Sequence, residues 1–311
     1  MNSLPFDIDH VGVPPIKCQG IKTKLVPFIF QNIRWHSNGQ GRWIEPFLGS
    51  GVVVFNLAPD RAILGDTNTH IINLYRAISA GTITAEKLRC HLQKEGDLLR
   101  KDGEKHYYRL RDRFNSEASP YDFVFLNRSC FNGVMRFNGN GRFNVPFCRK
   151  PERFSSQYIT KIVNQVGWLA RQMRGKKWDF RHGTWESTLE SASLQDFVYL
   201  DPPYIGRHTD YYNNWSQSDA NRLAVIAQRL SCGFALSMWF ENRYRKNTHI
   251  EEMWSGNIIR LFRHFYHVGS LESLRNEMHE ALVIRSGYEA LEQVSTTAHK
   301  HGCQIDLYQL K

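Results

Sequence analysis

Residues 42–66 constrain the fold of this chain more than any other stretch of its sequence. Residues 42–45 read as a short strand that enters a Gly-containing turn, the apolar run 52–58 reads as a helix, and residues 61–66 read as a second strand that ends on an acid. A strand, turn, helix and strand in this order are typical of a doubly wound sheet that binds a nucleoside-containing cofactor. The stretch therefore predicts an α/β fold.

The rest of the chain adds strands at its end and interrupts the pattern in its middle. The apolar runs 198–200, 234–239 and 281–284 suit further strands of the same sheet. Residues 71–180 read as mostly helical or irregular, and no internal repeat or low-complexity linker marks a boundary. The simplest organisation is one α/β sheet domain interrupted by an insertion.

The net charge favours a polyanionic partner. The 311 residues carry 40 Lys and Arg against 30 Asp and Glu, a formal charge of +10. Residues 100–153 alone hold 12 Lys or Arg against 6 Asp or Glu. Aromatic side chains lie among these cations, including Tyr107, Tyr108, Phe114, Phe125, Phe131, Phe137 and Phe143. They suit either base stacking beside phosphate neutralisation or an ordinary core under a solvated face.

The cysteines and the amino terminus favour neither a metal centre nor a membrane segment. The six cysteines are Cys18, Cys90, Cys130, Cys148, Cys232 and Cys303. They show no CxxC spacing and no accompanying His cluster, so we expect reduced thiols and no metal. The sequence has no secretory signal pattern and no run of roughly 18 apolar residues. We expect a soluble, cytoplasmic protein.

Residues 45–51 form a candidate cofactor turn, Glu-Pro-Phe-Leu-Gly-Ser-Gly. Gly49 and Gly51 would let the backbone pass close to a ligand, although the third glycine of the dinucleotide fingerprint is missing and a plain glycine turn is an equal alternative. Asp66 lies fifteen residues after Gly51 at a strand end, where its carboxylate could accept both ribose hydroxyl protons. No Gly-Lys-Ser/Thr loop wraps phosphates, which favours S-adenosylmethionine over a nucleotide di- or triphosphate.

The run Asp201-Pro202-Pro203-Tyr204 follows an apolar strand directly, at the sheet edge where ligands bind. Two prolines fix the turn and remove two N–H donors, leaving the Asp201 carboxylate and a proline carbonyl as acceptors beside Tyr204. Two acceptors that hold the protons of an aromatic amine favour a pyramidal nitrogen able to attack a methyl sulfonium. Tyr204 would stack on the base, which requires a nucleotide rotated out of the duplex. A surface turn is the alternative.

A set of motifs occurs in one order along the chain. It comprises residues 15–24 (Pro-Ile-Lys-Cys-Gln-Gly-Ile-Lys-Thr-Lys), 45–51, 66–68 (Asp-Thr-Asn), 126–138, 143–147 and 201–204. This set resembles the Dam-like, alpha-group family of adenine-specific DNA methyltransferases. Residues 16–24 and 201–208 look most similar to EcoRV-type members of that family.

The resemblance implies a fold and a cofactor site. The fold would be a class I S-adenosylmethionine-dependent methyltransferase, a Rossmann-like seven-stranded sheet, with a catalytic domain of residues 1–75 and 181–311 and a mainly helical target-recognition domain of residues 76–180. By similarity, the cofactor-binding residues are Lys17, Lys22, Glu45, Phe47, Gly49, Ser50, Gly51, Asp66 and Trp185. The catalytic residues would be Asp201, Pro202, Pro203 and Tyr204.

The resemblance also implies a DNA surface on a protein that we expect to act as a monomer on double-stranded DNA. The DNA-binding residues would be Lys17, Phe131, Asn132, Arg136, Asn138 and Asn144, acting at a GAT-containing site such as GATATC. Phe131 would wedge into the base stack, and Arg and Asn suit guanine and adenine respectively, although Arg136 suits a phosphate nearly as well.

The target-base pocket would use Tyr204, Ser237 and Trp239. Ser237 and Trp239 lie two apart on a predicted strand and therefore face the same side. Trp239 could form the wall of the base pocket opposite Tyr204. A buried core Trp without a role in base binding is at least an equal alternative. The chain departs from the family at residues 18–21, Cys-Gln-Gly-Ile, and at residues 184–186, Thr-Trp-Glu, so individual cofactor contacts there are left open.

Two other functions compete with DNA adenine methylation. The acceptors at Asp201 would also suit the cytosine amine or an adenine in RNA, although cytosine enzymes more often resemble Ser-Pro-Pro-Tyr at this turn. A sequence-specific DNA-binding protein without catalysis would keep the basic segment, but the intact Asp66, Asp201 and Tyr204 count against it.

Overall fold

The structure is a computed structural model that describes residues 3–204, 215–242, 245–265, 277–291 and 304–306. Cys303 and residues 205–208, both used in the sequence analysis, lie outside the described residues. Within that part of the chain, no helix is long and apolar enough to cross a bilayer. No group of three or more His, Cys, Asp or Glu side chains among the described residues is arranged to hold a metal ion.

The described chain alternates between helices and strands. The helices are α1 Val26–Asn32, α2 Val52–Leu57, α3 Thr69–Ser79, α4 Ala85–Asp102, α5 Glu104–Glu117, α6 Pro120–Ser129, α7 Ser156–Met173, α8 Trp185–Leu189, α9 Gln217–Arg229 and α10 His249–Trp254. The strands are β1 Ser3–Leu4, β2 Trp35–His36, β3 Trp43–Glu45, β4 Arg61–Asp66, β5 Lys177–His182, β6 Phe197–Leu200, β7 Gly233–Asn242, β8 Arg245–Lys246, β9 Ile258–Phe265, β10 Glu277–Ile284 and β11 Gln304–Asp306. The predicted α/β class is confirmed.

The main sheet has the strand order β11-β9-β10-β7-β6-β3-β4-β5, with β8 paired to β7. Strands β5, β4, β3, β6 and β7 are parallel, whereas β10, β9 and β11 continue the sheet in antiparallel pairs. Without the two short strands β8 and β11, the sheet has the seven strands expected of a class I methyltransferase. After β3 the chain builds β4 and β5 on one side and later returns to build β6 and β7 on the other. The carboxyl ends of β3 and β6 therefore flank the switch point, where open α/β sheets bind ligands.

The central strands carry the apolar runs that the sequence analysis detected. All four residues of β6 and all three of β3 are buried, as expected of parallel strands covered on both faces. Residues 71–180 were predicted to be mostly helical or irregular, and the sequence analysis missed the strand β5 at their end, which pairs in parallel with β4 from Lys177 onwards. Strand β5 lies at the sheet edge and alternates polar with apolar residues, so it gave no continuous apolar run.

Helices α4 to α7 share a core with one face of the sheet, while α8, α9 and α10 cover the other. This arrangement decides between core packing and base stacking for individual aromatic side chains of residues 100–153. Tyr107, Phe114, Phe125 and Phe143 are buried in the core, whereas Phe131 is 56% exposed. Most of these aromatics therefore stabilise the helical part, and Phe131 remains available for stacking.

Candidate active site

A cavity of about 420 Å³ opens at the carboxyl ends of β3, β4 and β6. It lies at the switch point of the sheet, and it brings the candidate cofactor turn and the candidate catalytic turn together. The predicted residues that line it are Lys22, Glu45, Phe47, Gly49, Ser50, Asp66, Trp185, Asp201, Pro202, Pro203 and Tyr204. Residues more than 150 positions apart in the sequence thus share one site.

The cofactor turn is fixed to the end of β4. Gly49 N–H donates to Asp66 Oδ2 at 2.8 Å, and Asn68 N–H donates to Asp66 Oδ1 at 2.7 Å. Gly49 and Gly51 both have left-handed φ angles, of 49° and 67°. Burial raises the pKa of Asp66, and the two backbone donors oppose that effect. Each Asp66 oxygen keeps a lone pair for a ligand hydroxyl.

Glu45 is a buried acid at the end of β3. Its side chain is 3% exposed, and its Oε1 accepts a hydrogen bond from Trp43 Nε1 at 2.7 Å. Burial raises the pKa of Glu45 to about 8, with the nearby Asp201 carboxylate adding to the effect. A cationic group entering the cavity would favour the ionised form of this side chain.

Asp201 follows β6 directly and is paired with a buried lysine. Lys22 Nζ lies 2.9 Å from Asp201 Oδ1 and donates to the Tyr204 hydroxyl at 3.0 Å. Burial raises the pKa of Asp201, and the Lys22 ammonium lowers it. Burial alone would lower the pKa of Lys22, but Asp201, Tyr204 and Glu280 raise it well above its usual value. The pair favours an ionised Asp201 beside a protonated lysine.

Three aromatic side chains, Phe47, Trp185 and Trp215, line one part of the cavity. The ring centroids of Phe47 and Trp185 lie 6.4 Å apart and nearly parallel, and Trp215 meets Phe47 edge-on at 5.5 Å. The Arg222 guanidinium lies 5.6 Å from the Trp185 ring and bonds Glu186 at 2.7 Å. Flat aromatic surfaces of this kind suit a purine ring.

Comparisons with known proteins identify the family of this chain. The family model of D12 class N6 adenine-specific DNA methyltransferases matches residues 19–272. The chain belongs to this family. It is similar to a DNA adenine methylase of Serratia marcescens, with 33% identity over 230 residues that cover 70% of this chain and 78% of that protein. It is also similar to the type II methyltransferase M.MjaIII of Methanocaldococcus jannaschii, with 29% identity over 244 residues that cover 70% of this chain and 80% of that protein.

The protein is accordingly an adenine-specific DNA methyltransferase, as the motifs indicated. Membership of this family implies that the protein uses a methyl donor and acts on DNA.

Several predicted residues of the methyltransferase lie away from the cavity. Lys17 is held by Asn127 of α6, since its N–H donates to Asn127 Oδ1 at 2.7 Å and its carbonyl accepts from Asn127 Nδ2 at 2.9 Å. A Cβ on Gly133 would lie 2.4 Å from Lys17 Cδ, so this lysine packs directly against Gly133, among the residues predicted to bind DNA. Gly51 does not line the cavity, and a Cβ added to it would lie 2.3 Å from the Phe55 ring, so it packs the turn against α2.

Ser237 and Trp239 lie near the candidate catalytic turn without lining the main cavity. Ser237 is buried, and its hydroxyl is 2.7 Å from that of Tyr199, which does line the cavity. Trp239 lies in a small adjoining pocket with Pro202, Pro203 and Tyr204. The target-base role of Ser237 and Trp239 stays a prediction.

Apart from Lys17, the DNA-binding residues predicted from the sequence lie on residues 130–147, called the DNA segment below. Phe131 and Asn132 are exposed, and Asn132 has a left-handed φ of 54°. Arg136 Nε donates to Asn144 Oδ1 at 2.9 Å, while Asn138 Oδ1 accepts from two N–H groups of its own turn. The same segment contributes cavity-lining residues, which places it beside the candidate active site.

Sequence reasoning missed Glu280 and Trp215. Glu280 is 2% exposed on β10, and its Oε2 lies 3.9 Å from Lys22 Nζ. The sequence signal for Glu280 was a single acid next to the apolar run 281–284. An acid buried on a strand needs a partner, so this acid pointed to a nearby cation. Trp215 directly precedes the Ser216 cap of α9, and nothing in its local sequence indicated that it would face the cavity.

Proposed function

We propose that this methyltransferase moves the methyl group of S-adenosylmethionine to N6 of an adenine that has been rotated out of duplex DNA. The observation that carries the proposal is one cavity that contains both the Asp201 to Tyr204 turn and the Asp66-bound glycine turn. A methyl donor and an amine acceptor can therefore meet at the carboxyl ends of β3 and β6.

The lining residues fit S-adenosylmethionine. Asp66 has acceptor capacity for ribose hydroxyls, the Phe47 and Trp185 rings suit the adenine, and Glu45 suits a positive charge. The cavity volume of about 420 Å³ is in the range of cofactor sites. Lys17, Lys22, Gly49, Ser50 and Gly51 are proposed to shape or flank this site. When bound, S-adenosylmethionine supplies an electrophilic methyl group on a sulfonium.

Asp201 is proposed to orient and polarise the target amine. Its carboxylate and the carbonyl of Pro202 accept the two N–H protons, so the nitrogen lone pair is withdrawn from the ring and becomes nucleophilic. Pro203 keeps the turn rigid and adds no competing N–H donor. Tyr204 forms the platform on which the base stacks, with Trp239 and Ser237 nearby on β7.

The DNA segment is proposed to read the recognition site while the base is extruded. Phe131 is exposed and would occupy the space that the flipped base leaves. Asn132, Arg136, Asn138 and Asn144 would contact base edges or phosphates, with Lys17 beside them. We further propose a GAT-containing site such as GATATC, a role in restriction-modification and action as a monomer, on the motif resemblance to EcoRV-type enzymes.

Labelled methyl transfer to duplex DNA followed by nucleoside analysis tests this function. We expect N6-methyladenine from wild type, and none from Asp201→Ala, which should still bind S-adenosylmethionine in calorimetry. Loss of both binding and turnover in Asp201→Ala would give this residue a structural role. The proposal is wrong if the folded, cofactor-binding protein methylates cytosine, RNA or no nucleic acid at all.

A further inference from the structure

Helix α5 holds the DNA segment through three hydrogen bonds. Asn115 Nδ2 donates to the Phe143 carbonyl at 3.1 Å, and Asn115 Oδ1 accepts from the Phe143 N–H at 2.7 Å. About two turns earlier on the helix, the Tyr107 hydroxyl donates to the Val145 carbonyl at 2.8 Å. The segment around these contacts pairs through isolated bridges and belongs to no sheet, so the bonds from α5 act together with the buried side chains of Phe143 and Val145 in fixing its position.

Asn144 lies between the two residues that α5 holds. Arg136 Nε donates to Asn144 Oδ1 at 2.9 Å, and the Asn144 N–H donates to the Arg136 carbonyl at 3.2 Å. Arg136 and Asn144 therefore form one unit, and the backbone on both sides of Asn144 is attached to α5. A base-reading pair needs a fixed position to a few tenths of an ångström if it is to reject a wrong base.

Helix α5 is itself fixed by buried charges. Arg113 pairs with Asp122 of α6 at 2.6 Å and with Glu95 of α4 at 3.1 Å. His106 Nε2 lies 2.8 Å from the other Glu95 oxygen. Both acids are at most 2% exposed, so a displacement of α5 would leave a buried charge without its partner. The helix can therefore serve as a rigid support.

We propose that Asn115 is a positioning residue for sequence discrimination, because it transmits the fixed position of α5 to the Arg136–Asn144 pair. This inference rests on the proposed function of the DNA segment. Asn115 acts through the backbone of Phe143 and makes no contact of its own with the cofactor cavity among the described residues. Its loss should therefore change which DNA sites are methylated more than whether the cofactor binds.

The chain offers a matched control for this residue. Asn56 of α2 holds Gly12 by the same pair of bonds, with Oδ1 accepting from the Gly12 N–H at 2.8 Å and Nδ2 donating to the Gly12 carbonyl at 2.9 Å. Asn56→Ala removes an equivalent clamp on a segment outside the proposed DNA surface. It thus controls for a general loss of stability.

The test expresses the full chain in a host without adenine methylation of its own and maps methylated adenines by single-molecule sequencing. Purified proteins are then compared on duplexes that contain the mapped site or single-base variants of it. For Asn115→Ala, we expect the ratio of kcat/KM between the mapped site and its variants to fall about tenfold, equivalent to ~1.4 kcal/mol. S-adenosylmethionine affinity should stay at the wild-type value, and Asn56→Ala should keep the wild-type ratio.

An unchanged ratio for Asn115→Ala, or an equal fall for Asn56→Ala, overturns the inference. If Asn115→Ala does not fold, Tyr107→Phe decides, because it removes only the hydroxyl that bonds Val145. A reduced ratio in Tyr107→Phe supports the inference, and a wild-type ratio refutes it. Absence of methylation by the wild-type protein would instead refute the proposed function.

Discussion

Lys22 links Asp201 and Tyr204, the two side chains proposed to be catalytic, and its charge governs the state of Asp201. Its ammonium bonds both Asp201 and Tyr204, and it opposes the rise in the pKa of Asp201 that burial causes. Without this cation, the pKa of Asp201 would rise further, and the carboxyl group would be protonated at higher pH. A protonated Asp201 loses acceptor capacity for the amine.

Lys22→Met should therefore move the acidic limb of the activity profile to higher pH. We expect kcat at pH 7 to fall at least about tenfold, with partial recovery in alkaline buffer. The exposed neighbour Lys24 supplies the control, since Lys24→Met should leave the profile unchanged. A uniform loss of activity at every pH would show that Lys22 acts only on structure.

Glu45 predicts a pH dependence of stability in the cofactor-free protein. Its pKa is raised to about 8 in the folded state by burial, so the fold binds a proton that the unfolded chain releases near its usual pKa of 4.5. The contribution of Glu45 to the free energy of unfolding should thus be fully present below about pH 4.5 and be lost as pH rises towards 8. At pH 7 this titration lowers the free energy of unfolding by on the order of 3 kcal/mol.

Glu45→Gln removes this titration and keeps an oxygen for Trp43 Nε1. Thermal unfolding of the two proteins should coincide near pH 5, and the variant should be increasingly more stable up to pH 8. Parallel curves across this range would contradict the shifted pKa.

Much of the site could be predicted at the residue scale because its motifs are local. The residues of the Asp201 turn and the Asp66 strand end were predicted from neighbouring residues alone, and the structure places both at one cavity. The Lys22–Asp201 pair and the role of Asn115 could not be predicted, because each contact joins distant parts of the chain. Lys22 was predicted only as a cofactor residue.

At the scale of elements, the turn between β3 and α2 depends on two glycines for different reasons. Both need a left-handed backbone, but a Cβ on Gly51 would lie 2.3 Å from the Phe55 ring, whereas a Cβ on Gly49 would meet nothing within 4 Å. Gly51 is thus required for packing α2 on the turn, and Gly49 for leaving the cavity open.

Alanine substitutions should separate these two requirements. Gly51→Ala should lose about 2 kcal/mol more stability than Gly49→Ala, because it adds a clash to the backbone strain that both share. Gly49→Ala should instead weaken S-adenosylmethionine binding more than it weakens the fold. Denaturant unfolding and calorimetry measure the two effects, and equal losses in both variants would refute this division.

The elements themselves were predicted where burial was complete and missed where it was partial. Strands β3, β4 and β6 gave apolar runs because helices cover both of their faces. Strand β5 alternates in polarity at the edge, and its pairing with β4 depends on the returning chain, which no local pattern encodes.

On the scale of the whole molecule, the formal charge of +10 should make DNA binding strongly dependent on salt. Contacts to several phosphates release counterions, so affinity for duplex DNA should fall at least about 100-fold between 50 and 200 mM salt. Cofactor affinity should change little, since that cavity recognises a small molecule. Fluorescence anisotropy with labelled duplex measures the first and calorimetry the second. A flat salt response would remove the basic surface from the proposed mode of binding.

The partners of Lys22 also bear on how the chain is made. A ribosome releases Lys22 long before Asp201 and Glu280, because Lys22 precedes both in the sequence. The ammonium therefore has neither carboxylate partner until β6 and β10 have been synthesised, and the strap of residues 15–24 around it stays solvated until then. Nascent chains stalled before residue 201 should leave this strap open to proteases. The segment around Lys22 is thus synthesised before the carboxylates that hold it in place.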